Sequence, residues 1–410
     1  MNTVSERIVN FNAGRNPDTL ARKYLIKKQN VFSFYRGTCH LYYEDLSQNP
    51  PFTDPTLVWI CGDLHLENFG CYKGSNRVEY FDINDFDESA LAPATWEISR
   101  FITSILVAAE SLGIDKGQAV RLCESSLNTY SSILRKGKPK VIEQETADGI
   151  LQQYLAQVDK RKVKDLIRKR TVLKNGKLKL WTDNEHAIAL TKAKKNELRE
   201  WLSGPVPHKD WPDCYEIVDI AFRIAGTGSL GVERYVILVR NRDNENKYAL
   251  LDLKQATPSS LAPYHLHIAQ PVWTTEANRI ISIQQRVQHV NPYLLSEVDS
   301  GSNSYILKEL QPSSDKMDFT LCQGKFGHFE SIIGTMSELI ASGHLRSGGR
   351  QGSSIIDQLI AFGGETKWRE EVLAYAKDYS DRVSSDWKQY CEDYDGKKFE
   401  LTDKCDYLKF

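Results

Sequence analysis

The feature that most constrains this chain is a concentration of polar side chains in residues 58–88, which read VWICGDLHLENFGCYKGSNRVEYFDINDFDE. Two apolar runs within it, residues 58–61 and 78–81, predict short buried strands. A cluster of acidic and amide side chains follows each run: Asp63, His65, Glu67 and Asn68 after the first, and Asp82, Asn84, Asp85, Asp87 and Glu88 after the second. Carboxylates this close together repel one another unless a cation or a bound substrate shares their field. The sequence therefore favours a metal-dependent site.

Length and composition narrow the class of protein. The chain has 410 residues, more than the ~100–200 typical of one domain, so we expect two lobes or domains. The formal net charge of −1 does not favour a polyanionic partner for the surface as a whole. The sequence has no run of about 18 apolar residues, and residues 1–30 lack the apolar centre of a secretory signal. We expect a cytoplasmic protein with no membrane partner.

The eight cysteines are scattered along the chain, with no Cys-x-x-Cys pair among them. This spacing predicts neither a disulfide framework nor a zinc site, and buried thiols are the simplest interpretation.

The predicted elements change in character near residue 210. Helical patterns dominate before that point, and Gly204-Pro205-Val206-Pro207 marks a boundary. The elements predicted after it are strands at 215–225, 232–240, 248–256 and 305–310, a helix at 276–290, and further helices from residue 319 onward. The pattern predicts an α+β fold in three parts, which are a mainly helical part at 1–210, a β-rich part at 211–312 and a helical part at 313–410.

Residues 160–179 form a basic segment with ten lysines or arginines and a single acid, Asp165. Lys174-Asn175-Gly176 within it predicts a hairpin turn. A solvated basic face is the simplest interpretation, and the alternative is a platform that attracts an anionic substrate. Because aromatic residues are not interleaved with the basic ones, the segment does not favour a nucleic-acid partner.

A glycine-rich segment, residues 226–231, joins two of the predicted strands. A dinucleotide-binding fold would place such a motif between a strand and a helix, so its position here argues against a nicotinamide enzyme. A glycine-rich hairpin can instead lay its backbone N–H groups over phosphates, since glycine allows close approach. Lys254 lies in the apolar third strand, where a buried ammonium is costly unless anions pair with it. We interpret Lys254 as a phosphate-binding residue, with a lysine extending to solvent as the alternative.

The polar clusters supply the groups that phosphoryl transfer needs. Asp63 and Asn68 lie five residues apart, and Asp85 follows a predicted strand. One carboxylate could orient or deprotonate an attacking hydroxyl, while an amide and a second carboxylate hold Mg²⁺ on the nucleotide phosphates. Oxygen ligands without cysteine favour Mg²⁺ over zinc.

These residues resemble a known family. Gly62-Asp63-x-His65-x-x-Asn68, followed by Ile83-x-Asp85-Phe86-Asp87, resembles the catalytic and metal-binding loops of aminoglycoside phosphotransferases and, more distantly, of protein kinases. Residues 226–231 and Lys254 resemble the kinase glycine-rich loop and its strand lysine. The resemblance implies ATP and Mg²⁺ as cofactors, with Asp63 as catalytic base and Lys254 pairing the phosphates. It further implies metal ligands and nucleotide contacts at these residues: Asn68, Asp85 and Asp87 for the metal, and Gly226, Thr227, Gly228, Ser229, Gly231 and Lys254 for the nucleotide.

The order of these motifs differs from that of kinases, because here the catalytic loop precedes the glycine loop by more than a hundred residues. A circular permutation would reconcile the two orders and would bring the chain ends together. The resemblance therefore implies a circularly permuted, protein-kinase-like two-lobe fold, with a small antiparallel β lobe and a largely helical catalytic lobe. It implies that residues 1–210 form the catalytic part, that residues 211–312 form the nucleotide-binding part, and that residues 313–410 complete the catalytic lobe. From Phe34-Tyr35-Arg36-Gly37 to His344-x-Arg346, the chain resembles a bacterial family of unknown function within the kinase-like superfamily.

Several supporting residues have two interpretations. Arg36 is either a surface arginine or a partner for a carboxylate or phosphate. Glu97 and Arg100 either pair with each other or anchor the acidic loops from behind. His344 and Arg346 are either a structural pair at a helix end or part of the site.

The resemblance also leaves some positions unusual. Cys61 stands where the phosphotransferases usually have a histidine, and Glu97 stands where related folds use an Asp to brace the catalytic loop. Glu276 is the candidate for the helical glutamate that would pair with Lys254.

The function expected from the sequence is Mg²⁺-ATP-dependent phosphotransfer to a hydroxyl of a small molecule or protein. The alternatives are a nucleotide-binding pseudokinase that acts as a regulatory module, and a nucleotidyl transferase. A metal-dependent phosphoesterase is a further alternative, because Asp63-Leu-His65 and His265-Leu-His267 copy two of its motifs. The intervening Gly-Asp-x-x-Asp and Gly-Asn-His elements are missing, so a two-metal site could not be completed.

Overall fold

The computed structural model describes residues 3–48, 51–204, 215–226, 228, 230–264, 267–312 and 315–399. Two of the predicted nucleotide contacts, Thr227 and Ser229, lie outside the described residues, as does His265 of the phosphoesterase-like motif.

Helices account for most of the secondary structure. The helices of the described chain are α1 (Val4–Phe11), α2 (Pro17–Lys28), α3 (Val31–Gly37), α4 (Cys39–Gln48), α5 (Ala94–Leu112), α6 (Lys116–Lys136), α7 (Gly149–Asp159), α8 (Val163–Arg170), α9 (Lys192–Ser203), α10 (Glu276–Val287), α11 (Phe326–Ser347), α12 (Ile356–Gly364) and α13 (Lys367–Asp395).

The strands form small antiparallel sheets, so the fold is of the mixed α+β class that the sequence predicts. They are β1 (Leu57–Ile60), β2 (Phe69–Lys73), β3 (Glu79–Ile83), β4 (Ala90–Pro93), β5 (Thr171–Lys174), β6 (Lys177–Leu180), β7 (Ala187–Ile188), β8 (Tyr215–Arg223), β9 (Arg234–Asn241), β10 (Tyr248–Gln255), β11 (Ser296–Asp299), β12 (Ser304–Glu309) and β13 (Asp315–Lys316).

The largest sheet has the strand order β11-β12-β10-β9-β8-β7. Its strands alternate between two apolar layers, as a period of two requires. In β9, Tyr235 and Ile237 pack in the layer that contains Leu198 of α9, whereas Val236 and Leu238 pack in the opposite layer. The sheet includes β7, which precedes residue 210, so it begins earlier in the chain than the predicted β-rich part.

The two predicted strands of residues 58–88 are present as β1 and β3. β1 pairs with β4, and β3 pairs with β2, a strand that the sequence pattern did not predict. Each predicted strand is followed by one of the two polar clusters. Because both strands are paired in sheets, they fix the position from which each cluster starts. Helix α5 follows β4 and ends at Gly113, whose left-handed φ of 69° suits glycine at a helix end.

The basic segment contains the hairpin that the sequence predicts. β5 and β6 pair antiparallel around Asn175 and Gly176, which have φ values of 51° and 70°. Positive φ at both central residues is the requirement of a type I′ turn, and Asn-Gly meets it best.

The first and last described helices are in contact. The hydroxyl of Ser5 in α1 donates to Asp393 in α13 over 2.6 Å. Asp45 of α4 joins the same helices, because it pairs with both Arg7 and Arg382 at 2.7 Å. The two ends of the described chain therefore meet.

Across the described residues, no helix combines the length and apolar character needed to cross a membrane.

Candidate active site

A cavity of about 320 Å³ lies where the large sheet faces the two polar clusters. The predicted site residues that line it are Asp63, Asn68, Asp85, Asp87, Gly226, Gly228 and Lys254. Gly231 is not among the residues that line it. The structure thus brings together side chains that are separated by nearly two hundred positions in the sequence.

Asp63 is held by a buried arginine at the first polar cluster. Arg100 of α5 donates to Asp63 Oδ1 from Nε over 3.0 Å and from Nη2 over 2.5 Å. The Arg100 side chain is fully buried, and its guanidinium lies 4.3 Å from the ring centroid of Tyr35. The second carboxylate oxygen, Oδ2, lies 4.0 Å from His65 Nε2. Arg100 therefore fixes one oxygen of a carboxylate that lines the cavity.

Glu97 braces the backbone that precedes Asp63. Its Oε1 accepts hydrogen bonds from the N–H groups of Cys61, at 2.6 Å, and Gly62, at 3.4 Å. Its Oε2 lies 2.7 Å from Nε2 of His344, a buried residue of α11. Nδ1 of that imidazole in turn lies 2.8 Å from the hydroxyl of Tyr130. Glu97 and Arg100 of α5 thus anchor the loop that carries Asp63, and His344 holds Glu97 in place.

Asn68 links the two polar clusters through its amide. Its Nδ2 donates to the carbonyl oxygens of Asp63 and Asp85, at 3.1 and 3.2 Å, and its Oδ1 accepts the N–H of Asp85 at 2.9 Å. The amide is buried, and this pattern fixes which end is oxygen. Asn68 therefore sets the distance between the loop that carries Asp63 and the loop that carries Asp85.

Gly62 allows the same two loops to approach each other. Its φ is 88°, and a Cβ at this position would overlap the carbonyl oxygen of Glu88. Glycine is therefore required here both for its conformation and for its lack of a side chain.

Lys254 joins the sheet to the second polar cluster. Its ammonium pairs with Asp87 and lies 3.7 Å from Asp85 Oδ1. Desolvation opposes the charge of Lys254, but the two carboxylates outweigh it and raise the pKa of the lysine. Lys254 is therefore a buried ammonium paired with carboxylates and does not extend to solvent, and its role in binding phosphate stays a prediction.

The two carboxylates beside Lys254 differ in acidity. Desolvation opposes the charge of Asp85, but Lys254, Lys308 and the N–H of Asp87 together outweigh it and lower the pKa of Asp85 to about 2. The pKa of Asp87 is raised, first by desolvation and then by the negative charge of Asp85. Asp85 is thus the more acidic member of the pair.

The wall of the cavity formed by the sheet contains charged residues that sequence reasoning missed. Arg234 lies opposite Lys254 in the β9–β10 register, and Lys308 lies opposite Asp252 in the β10–β12 register. Arg223 and Arg234 pair with Asp252 at 2.7 and 2.6 Å. The spacing of Asp252 and Lys254, two residues apart on one face, was a signal of this charged surface.

Helix α10, which follows the lysine strand, does not supply the predicted glutamate. The carboxylate of Glu276 accepts a hydrogen bond from Arg279 one turn later, at 2.7 Å, whereas the ion pairs of Lys254 go to Asp85 and Asp87. The residues that α10 presents to the cavity are Ile280 and Gln284. The candidate assignment of Glu276 as the partner of Lys254 is therefore wrong, because local pairing within the helix uses its charge.

Two more of the ambiguous arginines have carboxylate partners. Arg36 lines the cavity and pairs with Glu67, which also lies 2.7 Å from Lys316. Arg346 lies 3.3 Å from Asp82 in β3 and donates to the carbonyl of Val287 over 2.6 Å. Arg36 is therefore close to the site, whereas Arg346 fixes the strand that precedes Asp85.

The glycine segment rests on the N-terminal region. Gly226 and Gly231 have φ values of 77° and 97°, a region that favours glycine. Arg15 donates to the carbonyls of Gly228 and Leu230 at 3.2 and 3.3 Å, and Lys23 donates to Gly228 at 3.0 Å. Arg15 and Lys23 thus hold the segment through its carbonyl oxygens.

The donor set of the cavity can be compared with what a metal requires. Among the described residues, no group of three or more His, Cys, Asp or Glu side chains is arranged to hold a metal ion. Mg²⁺ needs fewer protein ligands, because it is commonly held by one or two carboxylates together with waters and substrate phosphates. The Asp85 side chain is 52% exposed, and its Oδ2 makes no hydrogen bond with the described residues. The residues present therefore fit a Mg²⁺ ion that is held by one or two carboxylates.

The fold and the cavity define a mixed α+β protein with an ionic site between a sheet and two acidic loops. Residues 15–393 match the family model described as an uncharacterized protein conserved in bacteria, DUF2252. Because the match spans most of the chain, the protein belongs to this family. Comparisons with curated proteins and with solved structures found no match.

Proposed function

We propose that the protein is a Mg²⁺-ATP-dependent phosphotransferase with a circularly permuted, protein-kinase-like fold. The observation that carries the proposal is the convergence of Asp63, Asn68, Asp85 and Lys254 on one cavity. These are the residue types, in a base, metal-ligand and phosphate-pairing arrangement, that phosphoryl transfer uses. The acceptor is a hydroxyl group of a small molecule or a protein.

Each residue has a role in the transfer. Asp63 Oδ2 accepts the proton of the acceptor hydroxyl, while Arg100 holds the carboxylate in place. The hydroxyl oxygen forms the new bond to the γ-phosphorus of ATP, and the bond from that phosphorus to the ADP oxygen breaks. Lys254, released from Asp87 as the nucleotide enters, pairs with phosphate oxygens.

Asp85, Asn68 and Asp87 would hold the magnesium ion. When bound, it neutralises charge that develops on the phosphate oxygens. Asn68 has one lone pair of Oδ1 left for this purpose, because the N–H of Asp85 already uses the other.

The binding part of the proposal is tested by thermal unfolding with a non-hydrolysable ATP analogue, with and without Mg²⁺. At about 100 times Kd, a ligand adds about 2.7 kcal/mol to the free energy of unfolding. We expect this stabilisation in the wild type, and we expect Asp85→Ala to lose its Mg²⁺-dependent part.

The matched control is Asp243→Ala, which removes an exposed aspartate from the turn between β9 and β10. This variant should behave as the wild type does. Equal Mg²⁺-dependent stabilisation of Asp85→Ala and Asp243→Ala would rule out Asp85 as a metal ligand.

A further inference from the structure

Helix α2 buries its basic side chains and exposes an apolar one. Lys23 and Lys27, one turn apart, are 1% and 0% exposed, whereas Leu25 between them is 54% exposed. A helix in a globular protein normally does the reverse, since a buried ammonium without a partner is strongly destabilising. Hydrophobic packing alone therefore does not explain why this face of α2 carries two lysines.

The buried cations have no acidic partner among the described residues. Lys27 Nζ makes no hydrogen bond, and its side chain passes directly over Gly37, where a Cβ would lie 2.7 Å from Lys27 Cε. The polar contact of Lys23 is the carbonyl of Gly228, at 3.0 Å. The nearest acids that act on Lys23 are already engaged: Asp63 pairs with Arg100, and Glu88 accepts the N–H of Ser260 at 2.5 Å.

A buried imidazole on α4 adds to the same cluster. His40 is 3% exposed, and neither of its ring nitrogens has a hydrogen-bond partner in the described chain. Its ring stacks on Phe11 with centroids 3.9 Å apart, and the guanidinium of Arg15 lies 5.2 Å from the centroid of Phe11. Burial, followed by the charges of Lys27 and Lys23, lowers the pKa of His40.

The cluster adjoins the candidate active site. Lys23 contacts Gly228, and Gly228 lines the cavity that contains Asp63 and Lys254. Lys23 therefore lies beside the wall of that cavity. A group bound by the cluster would adjoin a ligand in the cavity.

We propose that Lys23, Lys27 and His40 form a binding site for a phosphoryl group, with Arg15 adding to its positive field. Two lysine amino groups and an imidazole that lack acid partners supply several hydrogen-bond donors, and on protonation a positive charge, which match a phosphate dianion better than a single carboxylate. The source of that group, but not the site itself, rests on the phosphotransferase proposal. It is either the terminal phosphate of the nucleotide or a phosphate carried by the acceptor.

The site is tested by thermal unfolding of the full chain in inorganic phosphate, against chloride at matched ionic strength. We expect a saturable rise in Tm for the wild type, and roughly tenfold or greater weakening of the apparent affinity in Lys27→Met, the loss typical of a charge-assisted hydrogen bond. Methionine has a similar length and no charge, so this variant should fold at least as well as the wild type.

The matched control is Lys28→Met, which changes the next residue of α2, a partly exposed lysine paired with Asp395. It should keep the response to phosphate. No phosphate-dependent rise in the wild type, or an equal rise in Lys27→Met, would overturn the site and would mean that the buried lysines are simply neutral.

Adding nucleotide distinguishes the two sources of the phosphoryl group, the terminal phosphate of ATP and a phosphate carried by the acceptor. If the terminal phosphate of ATP occupies the site, phosphate competes with the ATP analogue, and Lys27→Met loses any preference for that analogue over ADP. If a phosphorylated acceptor occupies it, the stabilisation by phosphate adds to that by the analogue. The Mg²⁺-dependent loss in Asp85→Ala is measured separately, so failure of the anion site and failure of the proposed function give different results.

Discussion

At the scale of single residues, Lys254 is the point where the two halves of the site are joined. Its ammonium pairs with Asp87 and lies near Asp85, so one lysine balances two carboxylates from the other side of the cavity. Under the proposed function, an entering nucleotide would exchange these contacts for contacts to its phosphates. A magnesium ion would then compensate the carboxylates that lose their lysine, so the proposal predicts that binding of metal and binding of nucleotide depend on each other.

Lys27 leads to a prediction about pH. Burial, together with the charge of Arg15, lowers the pKa of Lys27 to about 7, whereas an unfolded lysine has a pKa near 10.4. Between these values the unfolded chain binds one more proton than the folded chain. The free energy of unfolding should therefore rise from about pH 7 to pH 10, by up to about 1.4 kcal/mol per pH unit from this group.

Chemical denaturation of the wild type and of Lys27→Met across this pH range measures that slope. The other charged or titratable groups around Lys27 are Arg15, Lys23, His40 and Tyr24, and they are the same in both proteins. Tyr24 has a pKa of about 12, raised by burial, and so does not titrate in this window. Identical slopes for the two proteins would contradict the assignment of this pH dependence to Lys27.

Glu97 leads to a prediction about stability. Replacing it by alanine removes the acceptor for two backbone N–H groups and for the buried His344. Because unsatisfied buried donors cost about 1–3 kcal/mol each, Glu97→Ala should lower the free energy of unfolding by about 3 kcal/mol or more. The control is Glu110→Ala on the exposed face of the same helix, with an expected change within about 0.5 kcal/mol. A loss no larger than that of the control would show that Glu97 does not brace the loop.

The residues of the polar clusters could be predicted because their chemistry is local in sequence. Asp63, Asn68 and Asp85 were identified from their types and spacing, and the structure places all three on the cavity. Lys23 and Lys27 were not identified as buried, because helical periodicity assigns lysines to the solvent side. Their burial is set by the packing of α2 on α3 and α13 and by nothing in the local pattern.

At the scale of elements, the close approach of the two acidic loops depends on Gly62. The left-handed conformation of Gly62 and its contact with the backbone at Glu88 hold the loops together, and Asn68 ties them from the other side. The strands β1 and β3 fix where each loop begins. The loops are thus rigid parts of the site and not merely connections.

Gly62→Ala should therefore be much more damaging than a typical glycine substitution. Gly113→Ala is the matched control, because Gly113 also has positive φ, at 69°, but a Cβ at that position would meet no other atom within 4 Å. A left-handed alanine costs about 1–2 kcal/mol, and the steric overlap at Gly62 should add about 1–3 kcal/mol. Denaturant titration measures both variants, and equal losses would contradict the close packing of the loops.

The charged wall of the sheet shows why element-level prediction was incomplete. The three strands β8, β9 and β10 were predicted from their apolar runs, and the structure confirms them with small differences at their ends. The roles of Arg234 and Lys308 depend on which residues lie opposite Lys254 and Asp252. That register is set by pairing between strands and cannot be read from any one of them.

At the scale of the whole molecule, the site forms between parts of the chain that are distant in sequence. The large sheet contributes the glycine segment and Lys254, and the acidic loops follow β1 and β3. Glu97 is held in place by His344 of α11, far along the chain. The contact between α1 and α13 joins the first and the last helix of the described chain. The mixed α+β class could be predicted from the alternation of patterns, whereas the meeting of these segments required the three-dimensional structure.

The most direct test of phosphoryl transfer is incubation of the full chain with Mg²⁺ and with ATP labelled at either the γ or the α phosphate, over a panel of small molecules and proteins. The proposed function predicts transfer of the γ label to an acceptor and no transfer of the α label. Asp63→Ala should lower the rate by roughly 10²–10⁴-fold, the usual contribution of a general base, while nucleotide binding is kept. Transfer of the α label would indicate a nucleotidyl transferase, and binding without transfer of either label would indicate a pseudokinase; either result would contradict the proposal.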